Sequence, residues 1–167
     1  MSEADALQAG ERLLRQEAAA LDERDWDGWL ALYTPDCELW VPSWRDEETL
    51  TEDPKAELSH MYYASRGGLE DRVWRLRTGR APALIPLPRT SHMLSAVLPL
   101  PDRADGLTWL RSSWATHVYF PHEKAARTFF GRAAYGLLPT DEGLKIRRKT
   151  VVLHNDLVPR VLEVIFL

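Results

Sequence analysis

Cysteine is nearly absent from this chain of 167 residues. Cys37 stands alone, so no disulfide can close within the chain, and a cytoplasmic setting is expected. Long apolar runs are missing as well. Nothing approaches the roughly 18–20 residues of a membrane span. The first residues, Met1-Ser2-Glu3-Ala4-Asp5, are acidic and lack the basic and apolar regions of a signal peptide. There is no excess of positive charge: the formal net charge is -4, which leaves no electrostatic footprint for nucleic acid. No G-x-S-x-G elbow, no G-x-G-x-x-G and no phosphate loop occurs, and Gly67-Gly68 alone is a weak signal. Internal repeats and low-complexity segments are also lacking.

What is present describes a folded protein. Hydrophobic residues make up 45% and charged residues 28%, a balance suited to a globular chain and not to a disordered one. The length fits one domain over 1–167 with a core of its own. Seven tryptophans are many for this size. They supply either a rich core or anchors for an interface, where Trp and Arg are enriched.

The chain is organised around the stretch from Arg66 to Arg80. Leu69, Val73 and Leu76 share one helical face. Glu70 and Asp71 precede Arg72, Arg75 and Arg77, which suits the helix dipole. Gly79 is placed to end the helix in a left-handed conformation. Pro82, Pro86 and Pro88 then predict an extended segment over Ala81–Pro88. Leu84, Ile85 and Leu87 make that loop apolar, and apolar loops need cover. The expected cover is another chain.

Before this stretch, Leu7, Leu14, Ala18 and Leu21 form a stripe and predict a helix over Ala4–Leu21. Asp25 can cap a second helix carrying Trp26, Trp29, Leu30 and Tyr33, ended by Pro35. Cys37–Val41 reads as a strand. Ser43–Pro54 is an acidic loop in which Trp44 must fold back or dock on a partner. Ala56–Ala64 fits either a strand or the approach to the Arg66 helix. Strands follow over Ser91–Leu100, Leu107–Phe120, Ala125–Leu138 and Leu144–Leu153, with turns at Pro101–Gly106, Pro121–Lys124 and Pro139–Gly143. In Leu107–Phe120 the even positions, Leu110, Trp114, Val118 and Phe120, are mostly apolar. Val161–Leu167, nearly all apolar, reads as a last strand. It and the end of the preceding strand look covered on both faces; a domain of this size could do that alone with helices on one face, and subunit contact on the other is the simpler source of the extra cover. Helices first and antiparallel strands later make an α+β fold, with helices on one face of a curved sheet.

The residues offer little chemistry. The histidines are His60, His92, His117, His122 and His154. A Rieske iron–sulfur centre takes two Cys and two His, which one cysteine rules out within this chain. A ferrous facial triad takes two His and a carboxylate. His154-Asn155-Asp156 has a local H-x-D form, but no histidine follows it. Cys37, in a mostly apolar strand, is expected to be inert. An acid–base pocket enclosed by the curved sheet would draw on His60, Tyr62, Asp71 and His92. The plainer role for all four is a structural or interface hydrogen bond.

The order of segments resembles a known family. The stretches that carry the likeness are Glu17–Arg24 with Trp26–Leu32, Glu38–Pro42, Leu50–Pro54, Tyr62-Tyr63 running into Arg66–Val73, Arg89–His92, Ile146–Lys149, Val151–Leu153 and Asn155-Asp156. Together they are similar to the small (β) subunit of aromatic-ring-hydroxylating, Rieske non-haem iron dioxygenases, in the benzoate, toluate and halobenzoate branch. Departures lie in the Pro-rich loop, the Pro101–Gly106 hairpin and the C-terminal stretch.

The resemblance implies a cone-shaped fold of the nuclear-transport-factor-2-like (cystatin-like) kind with a strongly curved mixed sheet. It implies assembly with a large α subunit as α3β3. The α subunit would carry the Rieske [2Fe–2S] cluster and mononuclear Fe(II). A separate reductase would deliver electrons from NADH, and both atoms of O2 would enter a benzoate-like aromatic carboxylate to give a cis-dihydrodiol. The role implied for this chain is non-catalytic: it stabilises the α trimer, with at most minor influence on substrate choice. Trp44, Arg66, Leu84, Ile85, Leu87, Arg89 and His92 are the expected interface residues. Two other classes compete: a free-standing dehydratase or isomerase of the same fold, using the His60, Tyr62, Asp71 and His92 pocket, and a ligand-binding module with an apolar pocket.

Overall fold

Alternation along the later strands builds one six-stranded sheet, and the apolar stripes of the helices lie on its inner face. The computed structural model describes residues 3–155, 158 and 161–167. In chain order the elements are α1 (Glu3–Glu23), α2 (Trp26–Ala31), β1 (Tyr33–Pro42), β2 (Ser59–Tyr63), α3 (Arg66–Arg77), β3 (Arg89–Pro99), β4 (Thr108–Phe120), β5 (Ala125–Thr140) and β6 (Gly143–Leu153), with short 3₁₀ turns at Pro82–Leu84 and Val164–Phe166. The strand order is β2-β1-β6-β5-β4-β3. All neighbours are antiparallel except β1 and β6, which run parallel, so the sheet is mixed.

The strand faces follow their sequence. Leu110, Trp114, Val118 and Phe120 of β4 are buried, while Arg111, Ser113, His117 and Tyr119 between them are exposed. Leu13, Leu14, Ala20 and Leu21 of α1 join the same core. A Cβ at Gly10 would stand 2.3 Å from Leu110 Cδ1, so glycine there lets α1 lie close against β4. Leu69, Val73 and Leu76 form the buried face of α3, and Gly79 follows it at φ +68 as expected. Asp25 caps α2 by accepting from Gly28 N at 3.0 Å.

Four expectations need correction or completion. Tyr33 does not extend α2. The helix stops at Ala31, and Tyr33 opens β1 with its ring edge-on to Trp29 at 5.4 Å. The undecided segment before Arg66 is strand β2, which pairs with β1. The Pro-rich loop is not extended throughout. Pro82 starts a 3₁₀ turn closed by Leu84 N donating to Ala81 O at 2.9 Å, because proline also suits the first position of a helical turn.

The last run is not a strand covered by another subunit. Leu162 to Leu167 fold over the inner face of this chain's own sheet, and every one of them is buried. Phe166 stacks on Phe129 with centroids 5.1 Å apart and meets Phe120 edge-on at 5.7 Å. Glu163 directs the entry. It accepts from Val164 N at 3.0 Å and is paired with Arg72 of α3. The run of apolar residues around Glu163 records burial on all sides within one chain. Asp156, part of the H-x-D pattern, lies outside the described residues.

This packing predicts that Phe166→Ala destabilises the isolated chain by about 3–5 kcal/mol, the cost of emptying a buried aromatic site. Urea unfolding of the two proteins measures it; a change below about 1 kcal/mol would mean that the segment does not pack on its own sheet.

Candidate functional site

The interior between α1 and the sheet is where a fold of this shape would hold a ligand. It is filled. Glu17 stands in the stripe of α1, three residues after Leu14 and four before Leu21, and so points inward. Its carboxylate accepts from Lys149 Nζ of β6 at 2.8 Å and from the Tyr33 hydroxyl of β1. Both partners of the ion pair are 3% exposed. Lys149 also lies over the Tyr135 ring of β5, 5.4 Å from its centroid. Burial, and then the charge of Glu17, push the phenols of Tyr33 and Tyr135 well above their ordinary range.

Beside this network lies a cavity of about 20 Å³, lined among others by Glu17, Lys149, Tyr135, His92, Thr116 and Leu167. Room for a single water begins near 10–15 Å³, whereas an engineered cavity that takes benzene measures about 150 Å³. The space therefore admits no aromatic ring.

His92 enters this region from β3. Its Nδ1 is 2.6 Å from Asp22 Oδ1, its backbone N donates to Asp22 Oδ2 at 2.9 Å, and Thr90 Oγ1 donates to Asp22 Oδ1 at 2.8 Å. One carboxylate at the end of α1 thus holds β3. Burial raises the Asp22 carboxyl, but the hydrogen bonds from His92 and Thr90 and the His92 charge outweigh it and hold it below its ordinary value of 3.8. Asp22 was not among the residues singled out from sequence. Neither were Glu17, Lys149, Tyr33 and Tyr135 as a group; the one available signal was a glutamate inside an apolar stripe.

The four residues of the supposed acid–base pocket do not meet. His60 and Tyr62 are on β2 at one edge of the sheet and His92 on β3 at the other. Tyr62 donates to Glu38 at 3.1 Å, and Asp71 pairs with Arg75 at 3.1 Å on the exposed side of α3. His60 lies at the surface, and the partial burial of its ring lowers its pKa. None of the three lines the cavity beside His92.

The residues named for an interface are scattered too. Trp44 folds back, donating to Leu153 O at 2.7 Å. Arg66 pairs with Glu70 at 2.9 Å and donates to Tyr33 O at 3.2 Å. Leu84 is buried in the core, and Leu87 packs partly against it. Ile85 is 55% exposed. Arg89 is exposed and lies over the Tyr119 ring at 5.6 Å. The side chain of His92 is 6% exposed and faces inward.

For metal or cluster chemistry the donor set does not fit. Among the described residues no three His, Cys, Asp or Glu come close enough to hold a metal ion. Cys37 is buried, and burial pushes its thiol up to about 11, away from the thiolate that a metal or an electrophile requires. No described helix is long and apolar enough to cross a membrane.

Comparison with known proteins follows the same lines. The family described as "Ring hydroxylating beta subunit" matches residues 16–160. The toluate 1,2-dioxygenase subunit beta of Pseudomonas putida is 42% identical over 151 residues, covering 90% of this chain and 91% of that protein. The 2-halobenzoate 1,2-dioxygenase small subunit of Burkholderia cepacia is 42% identical over 149 residues, covering 89% and 88%. The crystal structure of the beta subunit of the benzoate 1,2-dioxygenase from Burkholderia mallei superposes with a TM-score of 0.78 at 32% identity, covering 100% of this chain and 98% of that one. The mixed, curved sheet with helices on one face is thus the fold that the sequence resemblance implied.

The Asp22 clamp carries a pH signature. A carboxyl whose folded pKa is depressed stabilises the fold above its unfolded pKa, and that contribution is lost as pH falls through the folded value. Asp22→Asn should therefore melt below the native protein at pH 6, and the gap should narrow as pH falls below about 4. Thermal melts of both proteins across that range check it. A gap independent of pH would remove the charge from the explanation.

Proposed function

Because this chain belongs to the ring hydroxylating beta subunit family, we propose that it is the non-catalytic small subunit of an aromatic-ring-hydroxylating dioxygenase acting on a benzoate-like carboxylate. In this reading it holds large α subunits together, as α3β3. The Rieske cluster and the mononuclear iron belong to the α subunit, and electrons arrive from NADH through a separate reductase. The reaction of the whole complex places both atoms of O2 on the ring, giving a cis-dihydrodiol. Assembly in the cytoplasm fits a chain with one buried cysteine.

The single observation that carries the non-catalytic part is the interior. A substrate ring needs a pocket several times larger than about 20 Å³. The wall of that space is occupied by a satisfied ion pair and by Leu167. A free-standing dehydratase or isomerase would need His60, Tyr62, Asp71 and His92 around one cavity; the strand order separates His60 and Tyr62 from His92, and Asp71 pairs with Arg75 on the exposed side of α3. A ligand-binding module would need an open apolar pocket in the same place. What remains for the chain to offer is its outside.

Benzoate titrated into the chain alone should give no binding heat and no turnover. The chain co-expressed with its large subunit and supplied with reductase, NADH and O2 should yield the cis-dihydrodiol. Saturable binding of benzoate to the isolated chain, or any conversion by it, would overturn the reading.

A further inference from the structure

The cavity beside Glu17 is small, and part of its wall is polar in a way that the surrounding side chains do not satisfy. His92, Trp114 and Thr116 line it, and the side chain of each is more than nine-tenths buried. Each carries a buried polar atom with no hydrogen-bond partner among the described residues: His92 Nε2, Trp114 Nε1 and Thr116 Oγ1. Strand register brings two of them together. His92 of β3 lies directly opposite Thr116 of β4, and opposed residues on one face stand about 4.5–5.5 Å apart at Cβ. Lys149 lines the same space. Its Nζ has three protons, and Glu17 is its one oxygen partner among the described residues. A buried donor or acceptor without a partner bears its full desolvation cost, so a group of them around one space calls for something that completes their bonds.

His92 narrows what that can be. The hydrogen bonds from His92 and Thr90 favour the ionised Asp22 carboxylate, so the ring proton beside it sits on Nδ1, 2.6 Å from Asp22 Oδ1. Nε2 then accepts in the neutral ring and donates in the charged one. A hydroxyl or a water can do either. The Thr116 hydroxyl does not reach Nε2, since both atoms are unpaired. Size decides the rest. A cavity of about 20 Å³ exceeds the roughly 10–15 Å³ that one water needs and is far below the space that an organic ligand needs. An apolar cavity would stay dry; this one has the two to four polar neighbours that hold a buried water.

We propose that the cavity binds one water molecule, hydrogen-bonded to His92 Nε2 and Thr116 Oγ1, with the N–H donors of Trp114 and Lys149 around the same space. The water joins two networks that the direct bonds leave separate. One is Asp22 with Thr90 and His92 at the end of α1. The other is Glu17 with Lys149 and Tyr33 in its middle. The ligand of the interior is then a structural water and not a substrate. The site stands on its own geometry and does not depend on the subunit reading.

The test uses the full chain, with water itself as the probe. Oxygen-17 relaxation dispersion counts long-lived internal waters. Thr116→Val keeps the shape of the side chain and removes the hydroxyl, whereas Thr116→Ser keeps the hydroxyl. Thermal melts establish that each variant folds. Thr116→Val should lose one long-lived water relative to the native chain, and Thr116→Ser should retain it. Loss in both variants, or in neither, would overturn the site. Should Thr116→Val fail to fold, a crystal structure of the native chain decides. Solvent density within about 3.2 Å of both His92 Nε2 and Thr116 Oγ1 supports the water, and a cavity without that density overturns it.

Discussion

One buried carboxylate fixes the relation of helix to sheet in this molecule. Glu17 on α1 takes the Nζ of Lys149 from β6 and the hydroxyl of Tyr33 from β1, with Tyr135 of β5 against the same group. A pair of charges 3% exposed survives only where its remaining hydrogen-bonding capacity is met, since an abandoned partner costs about 3–5 kcal/mol. The network therefore tolerates little sliding of α1. At the other end of the helix, Asp22 grips Thr90 and His92 of β3. Two carboxylates on one helix thus span both the middle and one edge of the sheet. Glu163, clasped by Arg72, turns the C-terminal residues back over the same inner face.

The consequence is a full interior. Folds of this shape can enclose a reaction pocket, and fold alone does not decide whether they do. Here Phe166, Leu167 and the Glu17–Lys149 pair occupy the inner space and leave about 20 Å³. The surface is uneven. The acidic loop after β1 satisfies itself through Arg45–Glu57 and the Asp46 turn. The outer face of β3, β4 and β5 leaves arginines and large apolar side chains open to solvent.

Sequence periodicity carried much of the architecture. The alternation in Leu107–Phe120 and the stripe Leu69, Val73, Leu76 are local patterns, and they survive in β4 and α3. The parallel pairing of β1 with β6 joins segments over a hundred residues apart, and no local pattern encodes it. Val161–Leu167 misled because a short apolar run reads alike for a central strand and for a segment buried on every side. From sequence, Trp44 can fold back or dock on a partner, and Leu84 sits in an apolar loop that needs cover. The loop instead turns inward at Pro82, and the Trp44 indole finds the Leu153 carbonyl. Asp22 and His92 stand 70 residues apart, so their partnership was out of reach of spacing arguments. The resemblance of whole segments to one family reached further than any single motif.

The most direct measurement is the mass in solution of this chain, by light scattering, alone and after co-expression with its large subunit. The account predicts an iron-containing assembly with both chains in equal numbers. A chain that remains by itself, with the large subunit assembled and iron-loaded in its absence, would contradict it.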